Sequence, residues 1–132
     1  MTKDCIFCKI IAKEIPAEIV YEDDNFLAFM DINPVHPGHI LVIPKGHFVW
    51  MQETPDEIIS KIFVLGKKIM LSLKTAYSAD FVQVSVVGNE VPHFHVHLIP
   101  RHLHNPSEAK PRGKYKDTEE LKSHAEKIRK SL

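Results

Sequence analysis

With 132 residues, 44% of them hydrophobic and 26% charged, the chain suits one globular domain able to bury a sizeable core, and its composition excludes wholesale disorder. Lys and Arg number 17, as do Asp and Glu, so no net field draws the protein to nucleic acid or to a membrane surface, and only a local phosphate site is open to it. Charges at Lys3, Asp4, Lys9, Lys13 and Glu14 interrupt any leader-like apolar region and no stretch approaches a membrane span, so a cytoplasmic location is expected.

Residues 5–12 read as a short helix with Ile6, Phe7, Ile10 and Ile11 on its apolar side, stopped before Pro16. Two runs of strand formers, 19–22 and 26–30, flank the turn-like Asp23, Asp24 and Asn25 and predict a hairpin. A loop with two prolines and a glycine, 31–38, leads to a buried strand over 39–44, whose apolar run Ile40 to Ile43 ends at Pro44. Thr54 and Glu57 form a capping-box pattern with Pro55 at the first helical position, opening a long helix to about Lys74. Its apolar stripe is Ile58, Ile62, Leu65, Ile69 and Leu73.

Two more strands, 81–87 and 94–100, are joined by the tight loop 88–92. Residues 105–116 read as an exposed connector, and Asp117 or Thr118 caps a charged tail helix to about Lys130 with a thin stripe of Leu121, Ala125 and Ile128. The fold class is α+β: an antiparallel sheet of about five strands, a long helix, a short N-terminal helix and a tail helix. Residues 1–104 form the domain, and 105–132 are its connector and helix rather than a separate unit.

Nine histidines occur, five of them between His93 and His104. In HFHVHL (93–98) imidazoles alternate with apolar side chains, so His93, His95 and His97 share one face of a strand while Phe94, Val96 and Leu98 enter the core. Two chemistries suit such a face. Three imidazoles can hold a catalytic zinc, or one neutral imidazole can attack phosphorus while its other nitrogen donates to a backbone carbonyl or neighbouring group. Of the other histidines, His36, His102, His104 and His124 are expected on the surface in loops or the tail.

The run GNEVPHFHVHLIPR (88–101) strongly resembles the signature of the histidine triad (HIT) family, and DINPVHPGHILVIPK (31–45) resembles its second hallmark. Similarity to the Hint-like branch runs from about Cys5 to Arg101. The resemblance implies a HIT-like fold and a nucleotide hydrolase. In that reading His95 is the nucleophile and forms a covalent nucleotidyl intermediate, His97 supports it at the phosphate, and His39 is the fourth histidine beside the triad, a donor toward phosphate charge. Asp31 would accept hydrogen bonds from ribose hydroxyls and Ile32 would pack near the base. Ile6, Phe7, Ile10 and Phe29 would wall the purine pocket. The loop before the triad departs from the branch, being short, with Gly88, Asn89 and Glu90 and no clear counterpart of the phosphate-binding Asn. Backbone N–H groups of Glu90 and Val91 can still cradle a phosphate. The Glu90 carboxylate repels a dianionic leaving group and attracts an amine, which favours purine nucleoside phosphoramidates or adenylated compounds. Dinucleoside polyphosphate hydrolysis and a weakly catalytic, zinc-stabilised nucleotide-binding module are the alternatives.

Cys5-x-x-Cys8 has the spacing of half a tetrahedral zinc site. A thioredoxin-like reading fails because no strand precedes Cys5. The resemblance implies a structural zinc whose remaining ligands are His47 and the first triad histidine, His93. It also implies a homodimer paired through 54–74 and the strand near 81–87, with the tail helix open to reach the neighbouring protomer's site.

Overall fold

The structure, a computed structural model, describes residues 4–103 and 112–132, so His104 and most of the expected connector lie outside the described residues. Helix α1 spans Ile6–Ile11, strands β1, β2 and β3 span Ile19–Glu22, Phe26–Met30 and Ile40–Pro44, and helix α2 spans Asp56–Tyr77. Strands β4 (Phe81–Ser85) and β5 (Val96–Arg101) follow, then helix α3 (Thr118–Ser131). All five strands pair antiparallel in the order β1-β2-β3-β5-β4, giving the α+β architecture expected from the pattern.

Strand parity divides the sheet into two faces. Phe26, Ala28, Met30, Ile40, Val42, Val96 and Leu98 face α2 and α3, packing on Ile62, Leu65, Ile69, Leu73, Ala125 and Ile128. Leu27, Phe29, Leu41 and Ile43 form a second core with Cys5, Phe7, Cys8 and Ile10 of α1. The register sets Leu41 opposite His97 and Phe29 opposite Leu41, and the Asp31 N–H extends the ladder to the His39 carbonyl at 3.0 Å. Asp31, His39, His95 and His97 therefore emerge on the α1 face, one odd position beyond or between residues buried there.

Several element ends differ from the sequence expectation. The capping box does not form: Pro55 is the N-cap of α2 without a side-chain bond, and the Thr54 hydroxyl instead donates to the Trp50 carbonyl at 2.9 Å across a 3-10 turn at Met51–Glu53. Asp56 and Glu57 in the first turn compensate the exposed N–H groups electrostatically. Helix α1 ends at Ile11 with Ala12 as its C-cap, close to the expected 5–12, and Lys13 is left-handed at φ 64°. Strand β5 begins at Val96 because the Phe94 N–H leaves the ladder to bond the Phe48 carbonyl at 2.6 Å.

Helix α3 is capped by Asp117, whose side chain accepts from Glu120 N–H. It lies on α2 and β1 of its own chain, where the Ser72 hydroxyl donates to the Ile128 carbonyl at 2.8 Å. The tail thus packs on its own protomer, where burying Ala125 and Ile128 in the main core holds it. His36, His102 and His124 are half-buried. Tyr77 gathers them: its hydroxyl shares a hydrogen bond with His124 Nδ1 at 2.7 Å and its carbonyl accepts from His102 Nε2–H at 3.2 Å, while the His36 ring packs edge-on at 6.2 Å. Among the described residues no helix is long and apolar enough to cross a membrane.

Candidate active site and metal centre

His95, the nucleophile that the family resemblance implies, is oriented by the segment just before β5. His95 Nδ1–H donates to the His93 carbonyl at 2.7 Å, which leaves Nε2 as the basic nitrogen. Phe7 of α1 meets the His95 ring edge-on at 5.1 Å and the His93 ring at 5.9 Å, so the short helix fixes both imidazoles from outside the sheet.

His97 is oriented from the neighbouring strand. Val35 N–H donates to His39 Nδ1 at 3.1 Å, so His39 carries its proton on Nε2 and donates it to His97 Nδ1 at 2.9 Å. His97 in turn carries its proton on Nε2. Burial pushes His39 down to about 3, partly opposed by the Asp31 carboxylate, and pushes His97 down to about 4 with help from His95. Both rings are neutral at neutral pH. Asp31 closes the group, its Oδ2 lying 3.6 Å from His39 Nε2.

Two cavities meet at this constellation. The larger, about 480 Å³, is walled by Ile6, Phe7, Ile10, Phe29, Ile32 and Val91, with Asp31 at its polar end. Ile6 and Ile32 are 47% and 64% exposed, as befits the open rim of an apolar pocket. The smaller, about 180 Å³, is lined by His39, His95 and His97 and by Gln83, Ser85 and Asn89. Glu90 and Arg112 line both. Gly88 lines neither; a Cβ there would overlap the Trp50 ring, so this glycine lets the indole close over the loop.

Three site residues escaped the sequence reading. Gln83 and Ser85 carried a signal, because they alternate along β4, and Ser85 pairs with His97. Arg112 carried none. It donates from Nη1 to Asp31 Oδ2 at 2.7 Å and to the Asn33 carbonyl at 2.9 Å.

The first triad histidine turns away from the other two. Its Nε2–H donates to the Pro44 carbonyl at 2.8 Å, so the Nδ1 lone pair faces Cys5 Sγ at 3.4 Å, Cys8 Sγ at 3.6 Å and His47 Nδ1 at 3.2 Å. Cys8 Sγ lies 3.2 Å from His47 Nδ1. Thiolate and imidazole ligands at tetrahedral zinc stand roughly 3.3–3.8 Å apart, and a carbonyl behind the ligating imidazole is the usual support of such a ligand. The four residues fit a tetrahedral soft cation. The three-imidazole zinc considered from the strand pattern does not fit: His93 joins the cysteines, His95 Nδ1 donates to a carbonyl and His97 Nδ1 accepts from His39.

Residues 12–104 match the family model described as the HIT domain. The chain belongs to the histidine triad family. An uncharacterized HIT-like protein of Methanocaldococcus jannaschii is 45% identical over 103 residues, 74% of this chain and 79% of that one. The adenylylsulfatase HINT3 of Arabidopsis thaliana is 36% identical over 106 residues, 76% of this chain and 54% of that one. Among solved HIT structures, the HIT-like protein of Bartonella henselae, described as involved in cell-cycle regulation and holding an unknown ligand, superimposes with a TM-score of 0.90 at 37% identity. The match covers 100% of this chain and 98% of that one. A zinc-bound histidine triad protein of Mycobacterium smegmatis gives a TM-score of 0.84 at 30% identity, with 97% and 92% covered.

Proposed function

We propose that this HIT protein hydrolyses purine nucleoside phosphoramidates or related adenylated compounds at the α-phosphate through His95. The observation that carries the reading is the fixed tautomer of His95, whose Nδ1–H is held by a backbone carbonyl 2.7 Å away, beside a second neutral imidazole that presents an Nε2 proton.

The base packs in the larger cavity among Ile6, Phe7, Ile10, Phe29 and Ile32, and the ribose hydroxyls donate to Asp31. His95 Nε2 attacks phosphorus as the bond to the leaving group breaks. The leaving amine takes the electron pair of that bond and a proton from water. His97 Nε2–H donates to a phosphate oxygen, and backbone N–H groups of the 88–91 loop assist it. Water then attacks the nucleotidyl intermediate, the P–N bond to His95 breaks, and nucleoside monophosphate leaves. In this scheme His39, with both ring nitrogens bonded inside the protein, orients His97 rather than touching phosphate.

The leaving-group side, a cavity of only about 180 Å³ whose polar lining beyond the histidines and Arg112 is Gln83, Ser85, Asn89 and the Glu90 carboxylate, favours an amine or another small group over a polyphosphate. The name of the Arabidopsis relative extends the class to adenylyl sulfate. The Cys5, Cys8, His47 and His93 cluster holds a structural zinc, which ties the N-terminal segment to the residue whose carbonyl orients His95. The solved zinc-bound relative supports that metal. A homodimer through the open face of α2 and the edge strand β4 is supported by exposed Val64, Leu71, Phe81 and Val84.

Release of adenosine monophosphate from adenosine 5′-phosphoramidate tests the reading. The parent protein is expected to release it, and His95→Ala, matched for folding and metal content, is expected to lose release by about 10⁴-fold or more. A parent without activity that still binds nucleotide sinks the phosphoramidase reading and returns dinucleoside polyphosphates and the binding module to first place.

A further inference from the structure

We propose that Arg112, from the segment leading into α3, is a substrate-contacting residue that binds the α-phosphate and so makes the C-terminal arm part of the active site. The inference rests on the nucleotide reading above.

Arg112 stands at the boundary of the two cavities, where a nucleotide with its base in one and its leaving group in the other must place its phosphate. Among the described residues lining either cavity it is the one Lys or Arg. His39 and His97 are neutral, so His97 supplies a hydrogen-bond donor and neither supplies charge. A phosphodiester-like group entering a site that already holds the Asp31 and Glu90 carboxylates needs a cation.

The guanidinium is also aimed for the task. Nη1 directs its two hydrogens to Asp31 Oδ2 and the Asn33 carbonyl, at 2.7 and 2.9 Å. Across Nη2 the closest carboxylate is Glu90 Oε2 at 3.8 Å, beyond hydrogen-bond reach, and Glu90 is largely exposed. Among the described residues the Nε and Nη2 edge therefore keeps donors in the planar fork that matches two phosphate oxygens. An arriving phosphate displaces the loose Glu90 pairing and leaves the Asp31 bond in place. Asp31 retains acceptor capacity for ribose, because a carboxylate offers about four lone-pair sites and the described residues fill two, through Arg112 and through Asn33 N–H at 2.9 Å.

The arm is anchored on its own chain. Gly113 N–H donates to the Pro34 carbonyl at 2.8 Å, and the Tyr115 hydroxyl accepts from Gly38 N–H at 3.0 Å. These bonds straddle the loop between Asp31 and His39, so the side chain that reaches the phosphate is held to the residues that bind ribose and orient His97.

The test is calorimetric binding of adenosine monophosphate and of adenosine to the parent, Arg112→Ala and Arg112→Lys, with thermal unfolding confirming that each variant is folded. Arg112→Ala is expected to weaken monophosphate binding about tenfold or more and adenosine binding less than about twofold, with Arg112→Lys between. Equal losses for both ligands would overturn the proposal in favour of a residue that only orients Asp31. Unchanged or tighter monophosphate binding would overturn it in favour of an arm that merely covers the site. Failure of the parent to bind either ligand would instead overturn the nucleotide reading itself.

Discussion

His39 Nε2 lies 2.9 Å from His97 Nδ1, and the same His39 ring accepts the Val35 N–H through Nδ1 at 3.1 Å. A backbone amide on the 31–38 loop thereby selects the tautomer of His97 two rings away, with no charge involved.

His39→Gln should therefore act through His97. The expected result is a fall in kcat of about 10²-fold, the cost of misaligning one preorganised donor, with KM changed less than about threefold. Steady-state kinetics on the phosphoramidate separate the two constants. A change confined to KM would show His39 to be a binding residue instead.

The pH dependence of stability follows from the same pair. Both folded-state values, about 3 for His39 and about 4 for His97, lie below the ordinary 6.5, so between those limits the unfolded chain binds the extra protons. The stabilisation is complete above about pH 6.5 and is lost as pH falls toward 4, at about 1.4 kcal/mol per pH unit for each histidine. Denaturant unfolding at pH 7, 6 and 5 should show the midpoint falling at each step, and His39→Gln should flatten the dependence.

Metal removal should cost stability more directly than chemistry. Cys8→Ser, or treatment with a strong chelator, is expected to abolish stoichiometric zinc by elemental analysis. It should also lower Tm by roughly 10 °C, the equivalent of losing about 3 kcal/mol of linkage from a tightly bound ligand. Stoichiometric metal in Cys8→Ser, or an unchanged Tm after complete removal, would contradict the assigned role.

Gly38 joins the loop to β3 at φ 92°, and a Cβ there would lie 2.5 Å from Tyr77 Cε2. Gly38→Ala combines a left-handed backbone with overlap against a ring held by its bond to His124. A loss of about 2–4 kcal/mol in denaturant unfolding is expected.

The local rules of the chain made much of the site legible. Alternation in residues 93–98 placed three imidazoles on one side of the chain, and Cys5-x-x-Cys8 announced a soft-metal half-site, because both are consequences of backbone period over a few residues. Period two also placed Ile40, Val42, Val96 and Leu98 in the core. The capping box misled for a local reason: the Thr54 hydroxyl found a better-placed acceptor in Trp50, four residues back, than the amides ahead of it.

Tertiary structure decided the rest. Which imidazole turns to the cysteines and which accepts from His39 depends on contacts 39 to 88 positions apart in the chain. Arg112 reaches Asp31 across 81 positions, because α3 buries Ala125 and Ile128 against α2 and carries the preceding arm to the site. The sequence by itself determined the repeat that makes a triad face and the residue types capable of the chemistry. Only packing determined their partners, since a hydrogen bond between distant residues is set by where the chain returns in space and leaves no period along it.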